Sequence, residues 1–579
     1  MAMTTALTKH LTPDANASTH RVAVSRAMGA DGGKVKPLRA YFELRYVYTI
    51  DPANGDETQT ATALFPSGKY AALDFTPTWA HHRFVGWFPN AAVPSADIPS
   101  TTGEIEPEDS VVFERSTVYA HWQLPTTVTF DATSAGGTMP GGWTAPDYYA
   151  GQPYGTLPTP TKSGEVFLGW FTPGGVRVTT SSTVPQGGVS LSARFTAVTY
   201  ATLYEATTTS SYKKTGIYSA TSLNSSNPTV VDWGDGNVDV VYGSISQLVH
   251  EYATTGAHTV RISDTISSFA LSTNNSTWYQ TTSQNQYTVT RVTAMSSSIT
   301  SLASYGFYYC QAMTAFVYPA SSFTSIPTYH FYYCSKLNVP AIPATVTSIG
   351  SYAFAYINQS QFSSITIPAT VTSIGSYAFY YCHYLRYITF AAGTSTLSLG
   401  TYAFAYTMYY SQASIDLSPR PITSIPSNCF YYCRYLNSVT FPTNATFTSI
   451  DTYAFYYCWY YQSGTVTIPD HVTSIGQHAF GYCYYLTAIT IPASVTKISG
   501  YAFYYCQRLQ TITCLRTTAP TTNYGTFGYS TSNYTGRTYY SAGTNRLRVP
   551  AGATGYTSSY WLNPLCQSSM CGFTLEEIQ

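Results

Sequence analysis

The stretch SIGSYAFYYCHYLRYITF, Ser373–Phe390, places Tyr377, Phe379, Tyr380, Tyr381, Cys382, Tyr384 and Tyr387 within eleven residues. Nearly the same phrase returns as SIDTYAFYYCWYYQSGTVTI from Ser449 and as SIGQHAFGYCYYLTAITI from Ser474. Self-similarity at a steady interval is the signature of a stacked-repeat architecture. Working outward from the quoted stretch, the repeat is anchored by Phe307, Phe331, Phe354, Phe379, Phe404, Phe430, Phe455, Phe480 and Phe503, spaced 23 to 26 residues apart. Five residues before every anchor stands Ile or Leu, from Leu302 to Ile498. Three residues after it stands Cys in seven copies, with Ile357 and Thr407 in the other two. A short alternating segment such as Ile489–Pro492 then reads as a strand. A unit this short cannot bury its own apolar face, so its neighbours must stack on it as a solenoid. Parallel strands then rise by about 4.8 Å per rung.

The aromatics divide into two kinds. Phe and Cys at fixed positions are core, with Cys acting as a small buried hydrophobe. Tyr follows two places after every anchor, from Tyr309 to Tyr505, which predicts a stacked ladder. Four and five places after the anchor the residues vary while the frame does not. There the chain is rich in Tyr, Trp and Arg, the types favoured at binding hot spots. His383, Tyr384, Arg434, Tyr435, Trp459, Tyr460, Tyr484 and Tyr485 are therefore candidate ligand-facing residues. The alternative is that they only cover the outer face and keep it wet through their hydroxyls. Aromatic faces with few charges suit carbohydrate or protein partners.

Composition narrows the function classes. Hydrophobic residues make up 44% of the 579, enough for real cores, but charged residues only 9%, far below the roughly 25% of an ordinary soluble domain. Lys+Arg and Asp+Glu balance at 27 each, which argues against a nucleic-acid partner. No apolar run approaches the roughly 20 residues of a membrane span, so no membrane insertion is expected. The N-terminal MAMTTALTKHLTPDANASTH lacks the apolar core of a signal peptide, and CGFTLEEIQ at the other end lacks an anchor signal.

The chemistry-bearing motifs are few. P-loop, nucleophile-elbow and zinc-protease motifs do not occur. Between 302 and 514 the acids are Asp416, Asp451 and Asp470, and a glycosidase needs two carboxylates facing one bond. His81, His82 and His478 read as isolated. No catalytic residue, metal site or cofactor is expected. The seven in-register cysteines point the same way from adjacent rungs, a poor disulfide geometry, so free thiols are expected. Cys566 and Cys571 either pair or stay free.

The phrase TSIGSYAFYYC…L…ITIP resembles the BspA-like leucine-rich repeats, over residues 301–514. The segment 515–579, with TTAPTTNYGTFG and LRVPAGATGYTSSYW, resembles the capping rung that ends such arrays. The rungs at Phe354 and Phe404 depart from the pattern by lacking both the Cys and the following Leu, so altered packing is expected there. Upstream, VTFDATSAGGTMP, VFLGWF and LSARF in 125–197 resemble the internalin B-type repeat, a β-grasp-like module, and RFVGWF in 41–124 resembles it more loosely. VVDWGDGNV and HEYATTGAHTVRIS in 198–300 resemble a polycystic-kidney-disease-type immunoglobulin-like domain. Its Asp232, Asp235 and Asp239 read either as calcium ligands or as caps of a tight turn. Residues 1–40, polar and basic, read as an attachment arm.

The expected architecture is thus mainly β and multidomain, with β-grasp-like repeats and an immunoglobulin-like sandwich followed by a leucine-rich repeat solenoid. The resemblances imply a non-enzymatic display and recognition protein that binds a host or microbial surface glycan or protein. The basic arm and the leaderless start point to a bacteriophage virion fibre or decoration protein at the virion surface. Such a protein would dock on a capsid or tail protein through residues 1–40 and form a homo-oligomer, as symmetric assemblies do. The alternative is a secreted or cell-surface bacterial adhesin of the BspA-like type. A carbohydrate-active enzyme is a third reading, and it would need paired acids.

Overall fold

The computed structural model describes residues 43–49, 58–64, 81–88, 119–224, 227–274, 277–460, 465–522, 526–527, 545–556 and 573–578. The arm at 1–40 and the Cys566–Cys571 pairing lie outside them. The protein is nearly all β, 3% helical, and contains a β-solenoid of about 10 turns. It separates into two compact units, Met1–Val198 and Thr199–Gln579.

Among its described residues the first unit has three small sheets. Glu43–Thr49 pairs with Thr58–Leu64, and Arg83–Phe88 with Tyr119–Gln123, both antiparallel. The third sheet runs Val128–Asp131, Val189–Thr196, Val166–Phe171, Arg177–Val178, its first pair parallel and the others antiparallel. One face of the third sheet closes over Trp170, Leu191, Tyr148 and Tyr154. Phe130 meets Trp170 edge to face at 4.9 Å, and the indole Nε1 donates to the Pro158 carbonyl at 2.8 Å, so the buried ring leaves no polar atom unpaired.

The second unit opens with two facing sheets, one of three strands and one of six, whose inner residues share a core around Tyr204, Trp233, Val260 and Phe269. Thr229–Asp232 and Val238–Val241 form the hairpin that the Asp-Gly turn closes. Of the three acids there, Asp232 accepts from the Gly234 N–H at 2.9 Å and from Arg261 at 3.1 Å. Asp235 accepts from the Asn237 N–H and binds His250 Nε2 at 2.8 Å, and Asp239 accepts from Trp233 Nε1 at 2.8 Å. The carboxylates thus hold the turn and its flanks.

The six-stranded sheet does not stop at this sandwich. Its strand Val289–Ala294 pairs in parallel with Ala315–Phe316, which belongs to the first rung of the solenoid. The Leu271 and Ser272 N–H groups donate to the Gly306 carbonyl, and Phe269 lies edge-on to Phe307 at 6.1 Å. A solenoid needs its open end covered, and here the sandwich covers it. At the far end Arg546–Pro550 and Thr574–Ile578 extend the strand ladder in parallel.

From the rung of Phe354 to that of Phe503 each carries two strand segments, while among the described residues the rung of Phe307 has only Ala315–Phe316 and that of Phe331 only Ser325–Ile326. Ser-Ile pairs such as Ser348–Ile349 and Ser373–Ile374 line one side in register. Segments such as Ser364–Ile367 and Tyr387–Phe390 line the other. Between the two lies the aromatic turn. All nine anchor Phe side chains are buried and stack ring on ring, as between Phe379 and Phe404 at 5.3 Å and 4°. Phe527 adds a tenth ring, 5.3 Å from Phe503; its strand residue is Thr522 where the others have Ile or Leu, which hides the rung in the sequence. The two departing rungs are repaired from within. Ile357 and Phe362 fill the core of one, and buried Thr407 and Met408 fill the other.

The core cysteines are free and do more than fill space. The thiol of Cys334 donates to the carbonyl of Phe307 in the preceding rung at 3.0 Å. Cys382, Cys433, Cys458, Cys483 and Cys506 repeat that bond to the preceding anchor at 3.0–3.3 Å. Burial pushes the Cys382, Cys433 and Cys506 thiols up to about 12. Since the thiolate is the reacting form, these cysteines should resist alkylation at pH 8 in the native chain and react only after denaturant unfolds the solenoid. Mass spectrometry after iodoacetamide treatment checks this; rapid native labelling would contradict it.

His330 occupies a position that is Ala in most rungs. It is fully buried, bonds the Ala303 carbonyl through Nδ1 at 2.8 Å and fills the space above Gly306, where a Cβ would come within 3.0 Å of its ring. Burial lowers its pKa from 6.5 to about 4. From pH 6.5 down to 4 the unfolded chain takes up a proton that the folded one refuses, so stability falls as the solution is acidified. The loss is on the order of 3 kcal/mol. His383 and His478, also lowered by burial, add in the same direction. Urea unfolding at pH 7, 5.5 and 4 should show the decline, and His330→Ala should flatten it.

Candidate functional site: the aromatic turn and its outer row

The geometry of the turn begins with its backbone. In every rung from Phe307 to Phe503, the residues two before and two after the anchor are left-handed, with φ between 53° and 64°. Such backbone is rare for a bulky side chain. It lets the N–H groups at both positions, and that of the anchor between them, point along the solenoid axis. Tyr377, Phe379 and Tyr381 accordingly donate to Thr401, Ala403 and Ala405 of the next rung at 2.8–3.0 Å. Left-handed residues commonly cost about 1–3 kcal/mol, and stacking offsets part of it. The column two before the anchor runs Tyr305, Tyr329, Tyr352, Tyr377, Tyr402 at 4.6–4.9 Å and within 7° of parallel. It breaks at Asn428 and resumes as Tyr453, His478, Tyr501. Asn and His are residue types that tolerate left-handed backbone. His478 is therefore a member of a stack rather than isolated. His81 has a partner too, Asp147 at 2.9 Å.

The column two after the anchor, from Tyr309 to Tyr505, is unbroken, with centroids 4.4–5.2 Å apart. A third row, one after the anchor, holds Tyr in six rungs and Ala355, Ala405 and Gly481 in the other three. The Tyr456 ring fills the space beside Gly481, where a Cβ would come within 2.9 Å of it. Burial and neighbouring phenols raise the hydroxyls of Tyr352, Tyr380 and Tyr457 to about 12, so these three stay neutral at physiological pH.

Outside this grid lies the variable row. Its backbone is tied across rungs, Tyr409 N–H to His383 O, Tyr435 N–H to Met408 O, Tyr460 N–H to Arg434 O and Tyr485 N–H to Trp459 O, at 3.0–3.2 Å. The eight residues expected to face a ligand fall into two groups. His383 and Tyr384 meet Tyr409 and Tyr410, with His383 stacked on Tyr409 at 4.7 Å and Tyr384 4.9 Å from Tyr410. Both ring nitrogens of His383 are buried without a hydrogen bond, which suits a packing role. Tyr384, Tyr387 and Tyr410 are exposed.

The second group holds the other six. Tyr435, Tyr460 and Tyr485 form a column at 4.5 and 5.0 Å with planes within 11°. Trp459 and Tyr484 stand beside it, 6.1 Å apart. Arg434 lies over Trp459 at 4.6 Å. Arg508, which sequence reasoning left out of the candidate set, lies 4.2 Å from the Tyr485 centroid and 5.4 Å from that of Tyr484. Tyr460 has a ring on each face, and its hydroxyl is raised chiefly by Tyr435. The column therefore offers ring edges and hydroxyls rather than open faces, unlike the aromatic faces expected from the sequence.

Among the described residues no group of three His, Cys, Asp or Glu could hold a metal ion. No described helix is long and apolar enough to cross a membrane. Asp416 and Asp451 bond neighbouring serines within two residues.

A parallel solenoid with one buried aromatic anchor per turn is a leucine-rich repeat array. Residues 263–360, 355–465 and 448–535 match the BspA type leucine rich repeat region, and residues 127–194 match the Listeria-Bacteroides repeat domain. No curated protein matches the chain significantly. Among solved structures the chain is similar to a leucine rich cell surface protein from Faecalibacterium prausnitzii A2-165. The identity is 22%, the likeness covers 41% of this chain and 78% of that one, and the TM-score is 0.21. It is also similar to a leucine-rich repeat protein from Bacteroides ovatus ATCC 8483, at 16% identity over 61% and 99% of the two chains, TM-score 0.24. The pneumococcal vaccine antigen PcpA is similar at 16% identity over 44% and 62%, TM-score 0.24.

Proposed function

We propose that this chain is a non-enzymatic binding protein displayed on or secreted from a bacterial cell, an adhesin whose leucine-rich solenoid presents the variable row to its ligand. The observation that carries this reading is the BspA type repeat match across residues 263–535, joined to a frame that holds every anchor fixed while the row beside it changes. The repeat families favour this alternative over a virion fibre, the reading the sequence favoured. Residues 41–124 and 125–197 act as internalin B-type, β-grasp-like spacers and 198–300 as a polycystic-kidney-disease-type immunoglobulin-like module. The solenoid, 301–514 with its cap 515–579, carries the binding surface.

Peptide mass spectrometry on fractionated cultures of the producing cell tests the placement. Peptides of this chain are expected in the envelope or the soluble extracellular fraction. Co-sedimentation with capsid proteins would overturn it in favour of the virion reading.

A further inference from the structure

Deepening that reading, and resting on it, we propose that the edge formed by Arg434, Trp459, Tyr460, Tyr484, Tyr485 and Arg508 is a binding site for an acidic polysaccharide segment. The two guanidiniums are the starting point. Arg434 lies over Trp459, and Arg508 over Tyr485 and beside Tyr484. Stacking holds a guanidinium flat against a ring and leaves its N–H edge free to fork onto an anionic oxygen. Among the described residues, neither arginine has a carboxylate within ion-pair distance: the ion pairs present involve other residues. In the whole array from 302 to 514 the acids are Asp416, Asp451 and Asp470, of which the first two serve local turns. Two preoriented cations without counter-charges on a sparsely charged face make an anion-selective edge, and the low local charge leaves their field uncompensated.

The spacing and the surroundings point to a glycan. The backbones of Arg434 and Arg508 lie three rungs apart, roughly 14 Å at the usual strand spacing, and their guanidiniums lean onto rings of the two rungs between, so successive anionic groups of an extended chain can each meet one of them. Between them the Tyr435, Tyr460 and Tyr485 column repeats every 4.5–5.0 Å, about the width of one sugar ring, and supplies hydroxyls. The faces of Tyr460 are covered by its neighbours, so the edge lacks the open apolar anchor that a peptide hot spot uses. Hydroxyl-to-hydroxyl bonding plus forked charge contacts is the chemistry of a polyhydroxylated anion, whether its charge comes from uronate or from sulfate.

The test uses the full chain and follows Trp459-sensitive fluorescence together with calorimetry. The probes are a chondroitin 4-sulfate hexasaccharide, its desulfated counterpart, a neutral chitohexaose and hexaglutamate. The sulfated probe is expected to bind in a salt-sensitive way, with Arg434→Gln and Arg508→Gln each weakening it roughly tenfold or more and leaving the melting temperature within a few degrees. Arg434→Lys should recover only part of the affinity, because an ammonium cannot fork. Equal binding of the desulfated probe would assign the anion to uronate, and its loss would assign it to sulfate; either supports the site. Tight binding of hexaglutamate with no glycan binding overturns the glycan class, and chitohexaose binding unaffected by the Gln variants overturns the role of charge. Adhesion of the same preparations to epithelial cells separates the two readings. Adhesion without any probe binding sinks this site alone, whereas probe binding without adhesion sinks the adhesive reading.

Discussion

Phe404→Ala should convert one cooperative unfolding transition of the solenoid into two. Phe404 is fully buried and stacked between Phe379 at 5.3 Å and Phe430 at 5.6 Å. Removing its ring leaves a cavity whose walls are neighbouring rungs, at a cost of about 3–5 kcal/mol. In a stacked array each rung touches only its neighbours, so the loss stays local and uncouples the two halves. Hydrogen exchange should accelerate in the rungs of Phe379, Phe404 and Phe430 while the rungs near Phe307 and Phe503 keep their protection. A uniform loss of protection along the array would contradict nearest-neighbour stabilisation.

Arg420→Ala should be nearly as damaging, for a polar reason. Arg420 is 1% exposed, and its guanidinium donates to the carbonyls of Val371 at 2.8 Å, Ser395 at 3.0 Å and Pro368 at 3.3 Å. It thereby ties loops of the two preceding rungs to its own. Gly393 leaves it room, since a Cβ there would come within 3.3 Å of Nε. Truncation to Ala leaves buried carbonyls without their donors and opens a cavity, together about 2–4 kcal/mol. Arg420→Lys should restore only part, because one ammonium cannot reach carbonyls on both loops. Denaturant melts of the three proteins check this; a full rescue by Lys would show that charge alone matters.

These two side chains also mark what a sequence reveals. Phe404 was legible because its position repeats, and periodicity carries the identity of the core, the solenoid and the ladder after the anchor. Arg420 was not legible, because it sits outside the repeat and its partners lie 25 to 52 residues away. The column two before the anchor, Tyr305 to Tyr501, could have been found from spacing alone, since seven of its nine members are Tyr. The left-handed backbone that makes it a column could not, because Tyr there contradicts local propensity and inter-rung bonding overrides it. The variable row was legible as a location. Its presentation was not, because stacking that turns ring faces inward depends on side chains from three rungs at once. Arg508 escaped for the same reason, since it joins the site by lying over rings one rung away.

On the proposed reading, recognition resides in the variable row and the repeat frame only holds it. The direct test is adhesion of beads coated with the full chain to epithelial cells, compared with a variant carrying Arg434→Gln, Trp459→Gln, Tyr484→Ser and Arg508→Gln. Gln311 and Ser335 already occupy the column of Arg434, Trp459 and Tyr484 in the first rungs, and Gln359 that of Arg508, so the frame accepts these residues. The variant is expected to keep the circular dichroism spectrum and cooperative melt of the parent and to lose adhesion. A folded variant that adheres as well as the parent would contradict it.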